Sequence, residues 1–162
     1  MKYHFVACLA LFASFTASAN QPEFISSELT TISFDLDKYQ YYLEDALANT
    51  ESCKQAGLVN CIVVGQSIIA ITDNVLGAPE QNVSEVTLTD GTEIYSIPIL
   101  HTVKIMGTAY QGYIVRVESS QPEKNSTIFY STTAGVIMFS LNGLSYWSKK
   151  PCGLFAPETC GQ

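Results

Sequence analysis

Hydrophobic and polar positions change period along this chain, and the changes mark out its expected elements. Residues 29–36 alternate with β-branched side chains and predict a short strand. From residue 37 the spacing becomes helical, with Tyr39, Leu43, Ala46 and Leu47 recurring on one face. Asp37 suits an N-cap and Gln40 stands at N3, where its amide reaches back to the cap. Leu36 and Tyr41 flank that cap as a hydrophobic staple would. A helix over residues 37–49 follows from these signals, preceded by a loose arm at residues 20–27.

Beyond Cys61 the period falls to two. Ile62 to Val64 and Ile68 to Ile71 read as one broken strand or two, with a buried helix as the competing reading. Gly77 and Pro79 make a loop of residues 74–81. An antiparallel meander follows. Asp90-Gly91 suits a type I′ hairpin turn, and Asn142-Gly143 is a second strong hairpin signal. Pro98 marks a bulge or an edge in the long run that ends near Met106. Further strands are expected at residues 113–118, 127–132, 136–141 and 144–147, with a turn at Ala134-Gly135. The expected fold is α+β: one N-terminal helix packed on a curled antiparallel sheet of about six or seven strands, or a partly closed barrel.

The first residues belong to a different pattern. Lys2, an apolar run over residues 5–15 and the small triplet Ala17-Ser18-Ala19 compose a secretory signal peptide, residues 1–19. Cys8 lies inside that run and leaves with it. The run is too short to span a bilayer, and Gly65, Gln66 and Ser67 interrupt the next apolar stretch. Residues 20–162 are therefore expected as one soluble periplasmic or secreted domain without a transmembrane segment.

Charge narrows the range of partners. The chain holds 15 acidic and 8 basic residues. Loss of Lys2 leaves 7 bases against 15 acids, a net charge of −8. Nucleic acid requires clustered Lys or Arg, so it is excluded as a partner. Cys53, Cys61, Cys152 and Cys160 survive cleavage, an even number that implies disulfides in an oxidising compartment. Their spacing matches neither a redox motif nor a zinc knuckle, and the local pairs Cys53–Cys61 and Cys152–Cys160 are favoured.

No catalytic, metal or cofactor signature emerges. His101 is the one histidine after the leader, and alternation places it with Ile97, Ile99, Val103 and Ile105 if Pro98 leaves the register intact. Gly65-Gln66-Ser67 lacks the glycine that completes a nucleophile elbow. Asp35 with Asp37, Glu44 with Asp45, and Asp73 show no diagnostic carboxylate or calcium-loop spacing. Asn82 and Asn125 head glycosylation sequons, which matter only in a eukaryotic host. The suggestive feature is aromatic. Alternation sends Phe129 and Tyr130 to opposite faces, and likewise Tyr146 and Trp147, so one of each pair faces away from the core. Tyr130, Tyr146, Trp147, Arg116 and His101 are accordingly the expected partner-binding residues, unless the Cys152–Cys160 loop covers the rings. The functional expectation is a non-enzymatic interaction protein of the cell envelope or secretome: an inhibitor, adaptor or accessory subunit that binds another exported protein. The alternatives are a small hydrolase using His101 with carboxylates, and a carrier whose curled sheet encloses a small apolar ligand, which a deep apolar pocket between helix and sheet would favour.

Overall fold

The computed structural model describes residues 21–53, 55–73 and 85–161. The expected leader, the loop at 74–81 and the Asn82 sequon lie outside these residues. Thirteen strands form among them: β1 Glu23–Ser26, β2 Thr31–Asp35, β3 Gln40–Leu43, β4 Ala46–Asn49, β5 Glu51–Ser52, β6 Leu58–Val64 and β7 Ser67–Thr72 precede the second gap. After it come β8 Glu85–Thr87, β9 Glu93–Ile105, β10 Thr108–Glu118, β11 Ser126–Ser131, β12 Gly135–Leu141 and β13 Leu144–Ser148. Ten strands join one sheet in the order β4-β3-β2-β1-β13-β12-β11-β10-β9-β8, and β5-β6-β7 form a second. Every pairing is antiparallel.

The helix expected over residues 37–49 is absent, and the α+β expectation gives way to an all-β fold. Within residues 21–53 every element is a strand, and beyond them a three-residue 3₁₀ turn forms at Pro122–Lys124. Two left-handed residues inside the expected helix exclude it: Tyr39 at φ 53° and Glu44 at φ 54°. They close hairpins instead, with Glu44-Asp45 joining β3 to β4. The stripe of Tyr39, Leu43, Ala46 and Leu47 matched a helical period by coincidence in a short window. An isolated helix of that length gains little, whereas pairing β3 with β2 satisfies an edge and sets Tyr41 beside Phe34. Asp35, rather than Asp37, makes the local side-chain contacts. Its carboxylate accepts bonds from Lys38 N at 3.3 Å and Lys38 Nζ at 2.7 Å, and that partner holds its pKa below the ordinary value. The expected loose arm also fails, because β1 lies between β2 and β13 with Phe24 fully buried. Four residues are too few to display a period.

The small sheet lies against β9, β10 and β11 through β7. Apolar side chains from both sheets fill the space between them, among them Phe24, Phe34, Ile69, Ile71, Ile128 and Phe139. Hydroxyls stitch the layers together, for Ser126 Oγ donates to the Ile68 carbonyl and Ser67 Oγ donates to the Glu123 carbonyl. The chain passes between sheets at Thr50. Thr50 N donates to Tyr39 O at 2.8 Å, and the next residue, Glu51, already pairs with Val63 of β6. A disulfide braces this crossing: Cys53 bonds Cys61, with Cα atoms 5.1 Å apart. Cys152 bonds Cys160 in the C-terminal loop. Both local pairings are as expected, and they point to oxidising surroundings. No described helix is long and apolar enough to cross a membrane.

Turn chemistry matches the sequence in one hairpin and departs from it in another. Asn142 and Gly143 are both left-handed, at φ 51° and 79°, as a type I′ turn requires. Between β8 and β9 only Gly91 is left-handed. Its N–H bonds the Leu88 carbonyl, making a type I turn closed by a left-handed glycine rather than the expected type I′. Asp90 in this turn accepts bonds from Thr92 N at 3.0 Å and Lys124 Nζ at 2.6 Å. The Lys124 ammonium, with the Thr92 N–H second, lowers its pKa from 3.8 to about 2. A depressed carboxylate stabilises the fold above its unfolded pKa and loses that contribution as pH falls through the folded one. Stability should therefore decline between 3.8 and about 2 through this group. Asp90→Asn should flatten that part of the denaturation profile, by a small amount because the group faces solvent.

Candidate functional site

The outer face of the large sheet, turned away from β7, carries an unexpected apolar row. In an antiparallel ladder, directly opposed residues point to the same side. Ile97 opposes Ile114, which opposes Phe129, which opposes Met138. Met138 opposes Trp147, and Trp147 opposes Ile25 of β1. Six apolar residues thus cross six strands on the side where an antiparallel sheet with one buried face shows polar groups. Phe129 is fully buried and the other five are partly exposed.

Two structures roof this row in part. The β9–β10 hairpin bends back over it, so that Ile105 packs with Phe129, Ala134 and Ile137, and Val103 and Tyr110 lie alongside. The bend starts where the β9–β10 register slips, between Gly112 and Ile114. Residues 98–100 oppose a single residue there, which is the bulge that Pro98 predicted. Gly112 permits the approach, since a Cβ at that position would run into the Tyr130 carbonyl. At the other end Cys160 packs against the same cluster. The C-terminal loop therefore covers some of the aromatic face, as one reading of the sequence anticipated.

A polar row lies beside the apolar one. Tyr95 opposes Arg116, and Arg116 opposes Thr127. Ser140 and Ser145 continue it, with Thr127 N donating to Ser140 Oγ at 2.7 Å. The Tyr95 hydroxyl donates to Glu118, and this bond raises its pKa. Arg116 Nη1 stands 4.0 Å from Glu118 Oε1. Arg116 is thus at the border of the apolar row, half-exposed and next to a carboxylate.

The other expected binding residues divide between faces. Trp147 belongs to the outer row and is partly exposed. Tyr146 and Tyr130 point inward and are 3% and 4% exposed, so both serve the core. Tyr146 stacks on Phe139 with centroids 5.4 Å apart, and burial raises the Tyr130 pKa. His101 opposes Gly112, so no carboxylate or hydroxyl faces it across the ladder. Its Nε2 is buried without a hydrogen-bond partner. The slip at residues 98–100 also removes Ile99 from the face expected for His101, leaving Ile99 58% exposed and Leu100 54% exposed.

Among the described residues no group of three His, Cys, Asp or Glu side chains could hold a metal ion. The pocket between helix and sheet that would favour a carrier does not form, because the expected helix is absent. A groove of about 450 Å³ does run beside Cys53–Cys61, lined by Leu36, Tyr39, Leu58, Val59, Ile62 and Phe155. Ile25, Ile114 and Met138 were not singled out in the sequence because each is unremarkable in its own strand. Only strand order and register align them. Comparison of the chain with protein-family models, curated proteins and solved structures finds no match.

Proposed function

We propose that the protein is an exported, non-enzymatic interaction protein whose partner docks on the outer face of β10, β12 and β13. The carrying observation is the apolar row through Ile114, Met138 and Trp147 on a sheet face that solvent would otherwise select to be polar. Such a row, bordered by hydroxyls and Arg116, has the make-up of a protein interface: an apolar and aromatic centre with a polar rim. The signal-peptide pattern at residues 1–19 and the two disulfides support an encounter outside the cytosol, and the role that goes with this reading is an inhibitor, adaptor or accessory subunit.

Capture from the native exported fraction tests this reading. Met138→Lys should abolish retention of the partner, because a charge enters the apolar centre. Ser145→Lys, in the adjacent polar row, should leave retention intact. Thermal unfolding of both variants reports whether the fold survives. Retention of the same partner by well-folded Met138→Lys protein would reject this face as the interface.

A further inference from the structure

The β9–β10 hairpin runs on past the strands that flank it. β8 meets β9 only from Glu93 to Tyr95, and β11 meets β10 only from Tyr113 to Val117. Beyond those limits residues 101–112 pair with one another alone, from His101 with Gly112 to Ile105 with Thr108. They form a two-stranded arm, and two strands by themselves are at best marginally stable in water. One apolar face holds the arm down. Alternation and register put His101, Val103, Ile105 and Tyr110 on the side that meets the sheet and leave Thr102 and Lys104 to solvent. No hydrogen bond or ion pair outside the arm's own ladder ties residues 101–111 to another described residue.

The seat of this arm is light. Of its seating side chains only Ile105 is buried, against Phe129, Ala134 and Ile137, while His101, Val103 and Tyr110 are half-buried. His101 adds a cost, because its Nε2 is buried without a hydrogen-bond partner while the arm is down. Lifting the arm returns that nitrogen to water. The base has what bending needs: the slip of residues 98–100 on one strand and Gly112, without a side chain, on the other. Few buried side chains and no polar tether mark a segment that opens more readily than the sheet beneath it. That sheet carries the middle of the outer apolar row. Phe129 and Ile137 are fully buried under the arm, whereas Ile114 and Met138, which oppose Phe129 from either side, stay partly exposed.

We propose that the β9–β10 arm is a lid on the docking face: seated, it withholds Phe129 and Ile137, and lifted about its base it joins them to Ile114, Met138 and Trp147 as one apolar strip. This inference rests on the outer face being the docking site, and it makes the seated form the autoinhibited one. Ile105 and the partner compete for the same surface. Weakening the seat of Ile105 therefore shifts the population toward the competent form.

Alkylation by iodoacetamide, followed by mass spectrometry of the purified exported protein, tests the motion. Cys53, Cys61, Cys152 and Cys160 are all disulfide-bonded, so Ile137→Cys supplies the one reactive thiol. Ala134→Cys is the second reporter if thermal unfolding shows that the first has not folded. The thiol should be alkylated at a rate that stays flat in low urea, because lifting the arm exposes little surface, whereas access through global unfolding climbs steeply with urea. Adding Ile105→Ser should raise that rate at least about tenfold, since the arm loses its one buried side chain. In capture from the exported fraction, Ile105→Ser alone should increase retention of the partner. Alkylation that occurs only through global unfolding, or at a rate Ile105→Ser leaves untouched, would overturn the lid. So would unchanged or reduced retention by Ile105→Ser protein whose reporter has gained reactivity. Failure of the docking site itself reads out separately, as retention by Met138→Lys.

Discussion

Phe139→Ala is expected to destabilise the fold by about 4 kcal/mol, in the middle of the range for a buried aromatic cut back to a methyl group. Phe139 is fully buried on β12, and its ring is the hub of the core aromatics. Phe24 meets it edge-on with centroids 4.9 Å apart, Phe34 lies at 6.0 Å and Tyr146 stacks at 5.4 Å. These partners come from β1, β2 and β13, three neighbouring strands whose mutual packing passes through this one ring. They sit on a rigid sheet and cannot collapse into the space left behind, so most of the cavity cost remains. Phe139→Leu keeps much of the volume and should cost about 1.5 kcal/mol. Urea denaturation resolves the two, with a lowered midpoint and an unchanged slope. A loss below about 1 kcal/mol for the alanine variant would mean that the ring cluster does not organise the core.

Gly153→Ala should be nearly as damaging, at about 3 kcal/mol, although it adds only one methyl group. Gly153 lies in the C-terminal loop where it crosses β12. A Cβ at this position would strike the Val136 carbonyl, with Ile137 N 3.2 Å away. Three backbone bonds hold that crossing: Gly153 N to Ala134 O at 2.8 Å, Val136 N to Leu154 O at 2.7 Å and Leu154 N to Val136 O at 2.9 Å. Neither side of the contact is a flexible side chain, so relief requires the loop to lift. Lifting it exposes Leu154, which is fully buried, and leaves those backbone groups to find water. Gly143→Ala is the informative contrast. Gly143 is left-handed at φ 79° but has nothing within 4 Å of a Cβ, so only the backbone term applies, about 1 kcal/mol. Hydrogen exchange at the Val136 and Leu154 amides should rise sharply in Gly153→Ala and stay protected in Gly143→Ala. Equal protection in both would show that the loop is held by the Cys152–Cys160 bond alone.

Features that depend on neighbours in the chain were legible in the residues themselves. Cys53 with Cys61, and Cys152 with Cys160, lie close enough in sequence for local loops to bring them together. The hairpin at Asn142-Gly143, the slip at Pro98 and the opposite orientations of Tyr146 and Trp147 all follow from local backbone rules. The stretch from residue 37 to 49 misled because its apolar spacing fits a helix as well as two short strands. The deciding term, pairing with β2, comes from outside the window.

The outer apolar row was illegible for the same reason at a larger scale. Ile25 and Ile97 are far apart in sequence, and each strand between them contributes a single residue. Alternation alone assigns each residue a side of its own strand. Long-range hydrogen bonding then sets which strands are neighbours and in what register, and that arrangement alone brings Ile114, Met138 and Trp147 into line. By itself, then, the sequence determined the acidic charge, most of the hairpins and a preference for the observed cysteine pairing, because these depend on composition and short-range stereochemistry. The all-β architecture, the second face and the inward burial of Tyr130 were decided only by tertiary structure, because they depend on backbone pairing and packing between residues distant in the chain.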